Sequence, residues 1–217
     1  MIAADAQFVL ASASPRRREI LSGLGLRFAV RPADIDEARW PDEPALAHVR
    51  RLAREKARVV ASAPAVRACG LPVLAADTIV LAPRGEVLGK PRDRTDGLAM
   101  LALLSGCTHR VLTAVAVAAS PVDDAARAGG HEVQEVVSDT AVTFRHIDAA
   151  EAAAYWETGE PCDKAGAYGI QGLGGIFAER IEGSFSGVMG LPVADTVALL
   201  RRAGVVIWRL RSPGTSA

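Results

Sequence analysis

The chain has 217 residues, of which 50% are hydrophobic but only 5% aromatic, so alanine, valine and leucine must fill its core. This length suits one compact α/β domain or two small lobes that share a core. Lysine and arginine together number 25 and equal aspartate and glutamate at 25. This balance argues against a nucleic-acid-binding surface, which normally carries a basic excess. No apolar run reaches the roughly 20 residues that cross a bilayer, so we expect no membrane association.

The cysteines predict the compartment. Cys69, Cys107 and Cys162 are scattered and odd in number, which disfavours a disulfide framework or a zinc site. Buried free thiols in a reducing compartment are the favoured interpretation. No basic and apolar N-terminal signal is apparent, so we expect a cytoplasmic protein.

The first half of the chain alternates predicted strands and helices. In order, they are a strand at Gln7–Ala11, a helix at Pro15–Gly23, an extended segment at Phe28–Pro32, an acidic turn at Asp34–Glu37 and a helix at Pro44–Ala63. A buried strand at Pro72–Ala76 is expected to end at Asp77-Thr78, with Ile79–Leu81 continuing it. A hairpin turn at Arg84-Gly85 precedes a helix that Thr95 caps and that runs to Leu104.

The second half contains long strand patterns. They are strands at His109–Ala119, Val133–Arg145 and Ile176–Ile181, helices at Ala149–Thr158 and Leu191–Ala203, and a last strand at Val205–Trp208. Ser120–Gly130 is predicted to be an exposed hairpin loop, Glu160–Gly175 an ordered loop, and Ser212–Ala217 a frayed end. This succession predicts an α/β fold with a mixed sheet.

A turn near the N-terminus has the residues of an anion site. Ser12 and Ser14 follow an apolar strand, and Pro15 opens a helix with Arg16 and Arg17 directly behind it. Free backbone N–H groups, hydroxyls and guanidinium groups at a helix start are suited to phosphate. An N-cap serine with solvated arginines is the alternative interpretation of this turn alone.

Three further charged residues are candidates for a functional site. Asp77 follows a buried apolar strand, where α/β sheets commonly place ligands, and it could hold a divalent metal, activate water, or do both. Lys90 follows the predicted hairpin and could return to the same end of the sheet. Lys56 lies on the long helix, where a lysine is usually solvent-facing.

The segment Asp163–Gly172 is rich in glycine. Glycines permit positive φ angles and a close approach of the backbone to a ligand. Gln171 carries an amide that can donate to and accept from a base edge, although a structural glutamine is the competing explanation.

These segments together resemble the Maf family, the septum-formation-inhibitor-like nucleoside triphosphate pyrophosphatases. The resemblance covers nearly the whole chain and rests on motifs in the family's order: Leu10–Arg17, Arg54–Ala57, Ala76–Thr78, Leu88–Pro91, Asp163–Gly172, Gly183–Ser186 and Gly190–Pro192. It implies one domain over residues 1–217, with a mixed, elongated, twisted β-sheet flanked by helices and a cleft between two lobes, as in inosine triphosphatases.

The resemblance also implies an activity. Lys164–Gly172 is similar to the branch that hydrolyses dTTP and UTP to the nucleoside monophosphate and pyrophosphate, a reaction that removes non-standard pyrimidine nucleotides and is linked to arrest of cell division. Asp77 would be the general base, and Arg17, Thr78 and Gln171 would set base preference. A homodimer is implied by the resemblance alone.

The residues can be assigned different roles in that reaction. Ser12, Ser14, Arg16, Arg17, Lys56 and Lys90 would bind the triphosphate and neutralise the leaving pyrophosphate. A divalent cation, Mg²⁺ or Mn²⁺, would bind Asp77 with help from Asp36 or Glu37. The alternative function is a nucleotide-binding regulator of septum formation with weak or vestigial hydrolysis.

Overall fold

The protein is described by a computed structural model that covers residues 2–119 and 132–208. Its strands are β1 (Phe8–Leu10), β2 (Phe28–Val30), β3 (Val73–Leu81), β4 (Val87–Leu88), β5 (Thr108–Ala119), β6 (Glu132–Phe144) and β7 (Ala178–Glu182). Its α-helices are α1 (Pro15–Gly23), α2 (Ala45–Ser62), α3 (Pro64–Cys69), α4 (Arg94–Leu104), α5 (Ala149–Glu157), α6 (Phe185–Val188) and α7 (Val193–Arg202). Short 3₁₀ turns occupy Glu160–Asp163, Ala165–Ala167 and Leu173–Phe177.

The strands form one open sheet in the order β2-β1-β3-β5-β6-β7, and β4 pairs with the end of β3. The β1 strand runs parallel to β2 and β3, whereas the pairs β3–β5, β5–β6 and β6–β7 are antiparallel. Short β1 and β2 are joined through helices, as parallel pairs require, and the long strands β5 and β6 are neighbours along the chain. The mixed α/β sheet predicted from the sequence is confirmed.

Three apolar clusters surround the sheet. Helix α2 packs on one face through Val49, Ala53 and Val60, and α1 and α7 pack on the opposite face. The third cluster lies beneath α4 and α5, around the later part of β3 and the beginning of β5. The molecule therefore has one apolar region on each face of the first half of the sheet and another beside the second half.

Strand β3 begins between the two apolar regions of the first half of the sheet and ends in the apolar region beside the second half. Its residues Val73–Leu74 pair with β1 along one edge, and Val80–Leu81 pair with β4 along the same edge. Within the described residues, no strand pairs with that edge between these two points. The gap leaves the middle of β3 beside open space, and Asp77 and Thr78 lie there.

Most predicted elements are confirmed to within two residues, but five details differ. Asp77 and Thr78 lie inside β3 rather than at its end, since β5 pairs with both residues and keeps the strand extended. Asp93, not Thr95, caps α4, because its carboxylate accepts the N–H of Asp96 at 2.9 Å. Helices α3 and α6 were not predicted, and Val205–Trp208 is not a strand.

Two further predictions lie outside the described residues, namely the loop at Ser120–Gly130 and the frayed end at Ser212–Ala217. The prediction that Cys69, Cys107 and Cys162 are free thiols is confirmed, but the prediction that they are buried is wrong, because Cys69 and Cys162 are exposed and Cys107 is only partly buried. Among the helices of the described ranges, none has the length and apolar character to cross a bilayer.

Candidate active site

A cleft of about 530 Å³ opens beside the unpaired edge of β3. We call its two sides the first wall, formed by residues 12–17 with Glu37, Lys56, Asp77 and Thr78, and the second wall, formed by residues 163–171 and 188–190. The cleft brings together nearly all the residues that the sequence singled out: Ser12, Ser14, Arg16, Arg17, Glu37, Lys56, Asp77, Thr78, Lys90 and Gln171. Asp36 is not among its lining residues.

The N-terminal turn is built by its two serines. Ser14 caps α1, and its hydroxyl accepts the backbone N–H of Arg17 at 3.5 Å. Ser12 is buried, and its Oγ accepts from the N–H of Ser14 at 3.2 Å and from Arg17 Nη1 at 3.1 Å. Because the Ser12 oxygen accepts both of these hydrogen bonds, its own hydroxyl proton is available to donate into the cleft.

The two arginines behind these serines differ in their partners. Arg17 points inward, where Nε donates to Gly190 O at 2.8 Å and Nη2 donates to Thr78 Oγ1 at 3.2 Å. Burial lowers the pKa of Arg17, although the nearby carboxylate of Asp77 opposes that effect. Arg16 instead reaches the second wall, where Nη1 contacts Asp163 Oδ2 at 3.3 Å.

A chain of hydroxyls fixes the orientation of Thr78. Thr113 Oγ1 donates to Gly187 O at 2.8 Å, so its proton is committed. It must therefore accept from Thr78 Oγ1, which lies 2.9 Å away. Thr78 in turn presents a lone pair to Arg17, and this arrangement ties the N-terminal turn to the α6 segment.

Lys56 joins two carboxylates at the centre of the first wall. Its Nζ lies 2.7 Å from Asp77 Oδ1 and 2.7 Å from Glu37 Oε1. Lys56 and Asp77 are each 8% exposed. The expectation of a solvent-facing lysine is wrong because Lys56 is four residues after Leu52 and four before Val60, on the buried face of α2.

Alternation along β3 explains how Asp77 and Thr78 reach different partners. Val73, Ala75 and Ile79 pack on the face covered by α2, whereas Leu74 and Ala76 pack on the opposite face. Asp77 therefore faces Lys56 of α2, and Thr78 faces Arg17 of α1. Both still line the cleft because the neighbouring edge of β3 is unpaired.

The carboxylates of the first wall are compatible with a hard divalent cation. Asp77 and Glu37 each use one oxygen for Lys56, which leaves the second oxygen of each for another ligand. Asp36 accepts the N–H of its own neighbour Ala38 at 2.9 Å. Within the described residues, no group of three or more metal-ligating side chains occurs. The donor set fits a cation that takes its remaining ligands from water and a bound molecule.

Lys90 and Gln171 are the remaining predicted site residues that line the cleft. Lys90 is exposed just after β4, and Gln171 is exposed between two 3₁₀ turns. Among the described residues, neither side chain has a hydrogen-bond partner within the protein. Both groups are thus available to a molecule in the cleft.

The glycines near Gln171 have a different role from the one expected. Gly166 has a positive φ of 72°, as predicted, but the close approaches at Gly169 and Gly172 are to protein side chains. A Cβ on Gly172 would lie 2.2 Å from Glu160 Oε2, and one on Gly169 would lie 2.8 Å from Lys164 Cε. These two glycines make room for Glu160 and Lys164 rather than for a ligand.

The fold and this cleft define a class of proteins that bind an anionic ligand between a cationic turn and a carboxylate pair. The Maf-like protein family matches residues 7–203, and the chain belongs to that family. A protein of Anaeromyxobacter sp. (strain Fw109-5) is 55% identical over 91% of this chain and 90% of its own, and one of Myxococcus xanthus is 54% identical over 93% and 95%. A third, from Hahella chejuensis, is 50% identical over 93% and 94%. All three relatives are named dTTP/UTP pyrophosphatase.

Proposed function

We propose that this protein hydrolyses dTTP and UTP to the nucleoside monophosphate and pyrophosphate. The observation that carries the proposal is the Lys56-bridged pair of Asp77 and Glu37, which shares one cleft with the arginines of the N-terminal turn. The names of relatives at 50–55% identity supply the substrates. Such a site can hold a triphosphate and direct water at it.

The triphosphate binds along the first wall in this proposal. Ser12 donates its free hydroxyl proton, and Arg16 and Lys90 neutralise charge on the phosphates. Arg17 is an anchor for the turn and for Thr78, since three of its side-chain N–H groups already bind the protein. Any contribution of Arg17 and Thr78 to base preference then acts through the shape of the turn.

One water molecule is consumed and one phosphoric anhydride bond breaks. The water oxygen forms a bond to phosphorus, the bond between the α-phosphate and the bridging oxygen breaks, and pyrophosphate leaves. Asp77 takes the proton of that water or holds the cation that activates it; both roles suit its free carboxylate oxygen. The positive charge of Lys56 offsets the negative charges of the two carboxylates and the negative charge that develops on the leaving group.

A divalent cation, Mg²⁺ or Mn²⁺, belongs to the proposal. Asp77 and Glu37 would hold it, each with the oxygen that Lys56 leaves free, and Asp36 would contribute only after leaving its own N–H partner at Ala38. When bound, it would neutralise phosphate charge and lower the pKa of a coordinated water.

The base is recognised at the second wall. Gln171 presents one donor and one acceptor, which complement the O4 and N3 edge that thymine and uracil share. Cytosine presents the reversed pattern. Preference for these two bases therefore depends on which face of this amide meets the base.

The proposal also includes two properties of the whole protein. We expect a homodimer, on the family resemblance, and a cytoplasmic location, on the three free thiols that suit a reducing compartment. Light scattering after gel filtration measures the first, and cell fractionation measures the second.

A panel of nucleoside triphosphates tests the activity. We expect pyrophosphate release from dTTP and UTP in Mg²⁺ or Mn²⁺, little release from dCTP and CTP, and none in a chelator. Tight dTTP binding without pyrophosphate release would instead support the alternative, a nucleotide-binding regulator of septum formation. Release from all bases at one rate would contradict the role of Gln171.

A further inference from the structure

Glu160 lies outside the first wall, and the proposed reaction gives it no role. It opens the first 3₁₀ turn after α5, and its side chain is partly buried. Its carboxylate binds backbone that lies 13 and 14 residues further along the chain: Oε2 accepts from the N–H of Leu173 at 2.9 Å, and Oε1 from the N–H of Gly174 at 3.0 Å. One carboxylate thus binds the far end of the loop that carries Gln171.

Tyr155 extends the same network to the near end of that loop. Its hydroxyl donates to Glu160 Oε1 at 2.7 Å and accepts the N–H of Gly169 at 3.0 Å. Tyr155 is buried among the aromatic rings of the second half and contacts Phe177 edge to face, with ring centroids 5.0 Å apart. Through Tyr155, the network is fixed to α5.

The glycines of the loop allow this close packing. A Cβ at Gly172 would meet Glu160 Oε2 at 2.2 Å, and a Cβ at Gly174 would meet the Tyr155 hydroxyl at 2.5 Å. Neither glycine has a φ in the left-handed region. Space for Glu160 and Tyr155, not backbone freedom, is what these positions require.

The charge of Glu160 suits the three donors around it. Burial raises the pKa of Glu160, but hydrogen bonds from Gly174, Tyr155 and Leu173 outweigh that effect and lower the pKa below its usual value. The group is therefore an anion at neutral pH. An ionised carboxylate can only accept hydrogen bonds, and all three of these neighbours donate to it.

Gln171 depends on this arrangement. It lies between Gly169 and Leu173, the two residues whose N–H groups are bound at the ends of the loop. In the described part of the chain, its amide has no hydrogen-bond partner in the protein, so its backbone alone determines where the side chain begins.

We propose that Glu160, bridged by Tyr155, is a positioning residue that holds the loop from Gly169 to Gly174 and thereby sets pyrimidine selection by Gln171. This inference rests on the proposed function, in which Gln171 recognises the base. Glu160 itself does not touch the substrate.

The test substitutes Glu160→Gln in the full chain. The amide keeps the shape of the side chain, but its NH₂ group faces a backbone or hydroxyl donor, so at least one bond is lost. We expect amide hydrogen exchange in segment 169–174 to accelerate at least about tenfold. For dTTP we expect KM to rise about tenfold and kcat to stay within about twofold, with about a tenfold loss of preference over dCTP.

Two comparisons separate positioning from general stability. Glu157→Gln is the matched control. Glu157 ends α5, its side chain is 70% exposed, and among the described residues it forms an ion pair only with Arg94, at 3.2 Å. It should leave every parameter unchanged. Glu160→Gln combined with Gln171→Ala should lose no more preference than Gln171→Ala alone, since both act on one amide.

Tyr155→Phe provides a milder variant if Glu160→Gln does not fold. It keeps the carboxylate and removes one hydroxyl, so it should shift exchange and preference in the same direction by a smaller factor. Unchanged amide protection in an active variant, or an equal loss of kcat for every base, would overturn the role of Glu160. Absence of dTTP hydrolysis by the unsubstituted protein would overturn the proposed function instead.

Discussion

The two walls of the cleft are held together in different ways. In the first wall, side chains bind side chains: Lys56 joins Asp77 and Glu37, and Arg17 binds Ser12 and Thr78. Behind the second wall, the side chains of Glu160 and Tyr155 bind backbone N–H groups. A charged side chain in the first wall can exchange its protein partner for a charged ligand. A loop whose backbone N–H groups are hydrogen-bonded keeps its shape when a ligand binds.

This difference indicates that the catalytic rate and the substrate selectivity are set by different parts of the site. Charged groups next to a carboxylate stabilise the charge that moves during phosphoryl transfer. A loop of fixed shape sets the backbone position from which the Gln171 amide meets a base, and ligands are then distinguished by how well they fit that position. Substitutions in the first wall should therefore change kcat, and substitutions behind the second wall should change selectivity.

The largest effect is expected from Asp77→Asn. The amide preserves the volume of the buried side chain but removes the charge that would take a proton or hold a cation. We expect kcat for dTTP to fall about 10³-fold, with the preference for dTTP over dCTP retained, in steady-state assays of pyrophosphate release.

Asp139→Asn is the control for this substitution. Asp139 is a more exposed aspartate on β6 that pairs with Arg110, so its loss should leave kcat unchanged. Thermal unfolding should show that Asp77→Asn remains folded. A rate near that of the unsubstituted protein would remove Asp77 from the mechanism.

The sequence predicted the first wall more completely than the second. Ser12, Arg16 and Asp77 could be assigned because each lies next to a recognisable apolar strand segment or helix start. Even the burial of Lys56 could have been predicted from its spacing with Leu52 and Val60. Local periodicity carries this kind of information.

The contacts behind the second wall could not be predicted in the same way. The contact of Glu160 with Leu173 and the contact of Thr113 with Gly187 join segments 13 and 74 residues apart. Such contacts depend on how β5, α5 and the 3₁₀ turns pack, and no local pattern encodes that packing. The glycines were recognised as sites of close approach, but their neighbours could not be identified.

Acid should destabilise the protein, and we expect the buried His109 behind the second wall to contribute to that effect. His109 is 1% exposed, and its Nε2 lies 2.9 Å from the hydroxyl of Tyr168, which lines the cleft. Burial lowers the pKa of His109 to about 4, so the folded state does not take up a proton between pH 6.5 and that value, while the unfolded state does. The free energy of unfolding therefore falls as the pH decreases through this range.

Between pH 7.5 and 4.5 we expect this group to reduce the folding equilibrium constant about a hundredfold, on the order of 2–3 kcal/mol. His109→Gln retains a polar partner for Tyr168 and removes the titration. Urea unfolding at both pH values should show a smaller acid loss in the variant than in the unsubstituted protein. Equal losses would mean that other groups cause the acid sensitivity.

The smallest effect, and the sharpest separation of the two walls, is expected from Gly172→Ala. Its φ is negative at −116°, but the new Cβ would lie 2.2 Å from Glu160 Oε2, so the carboxylate must move away from the Leu173 N–H. We expect about a tenfold loss of preference for dTTP over dCTP with kcat within about twofold. Gly23→Ala at the end of α1, where a Cβ meets nothing within 4 Å, should change neither value. A fall in kcat with the preference intact would mean that the second wall also determines the rate, and the separation of the two walls would then be wrong.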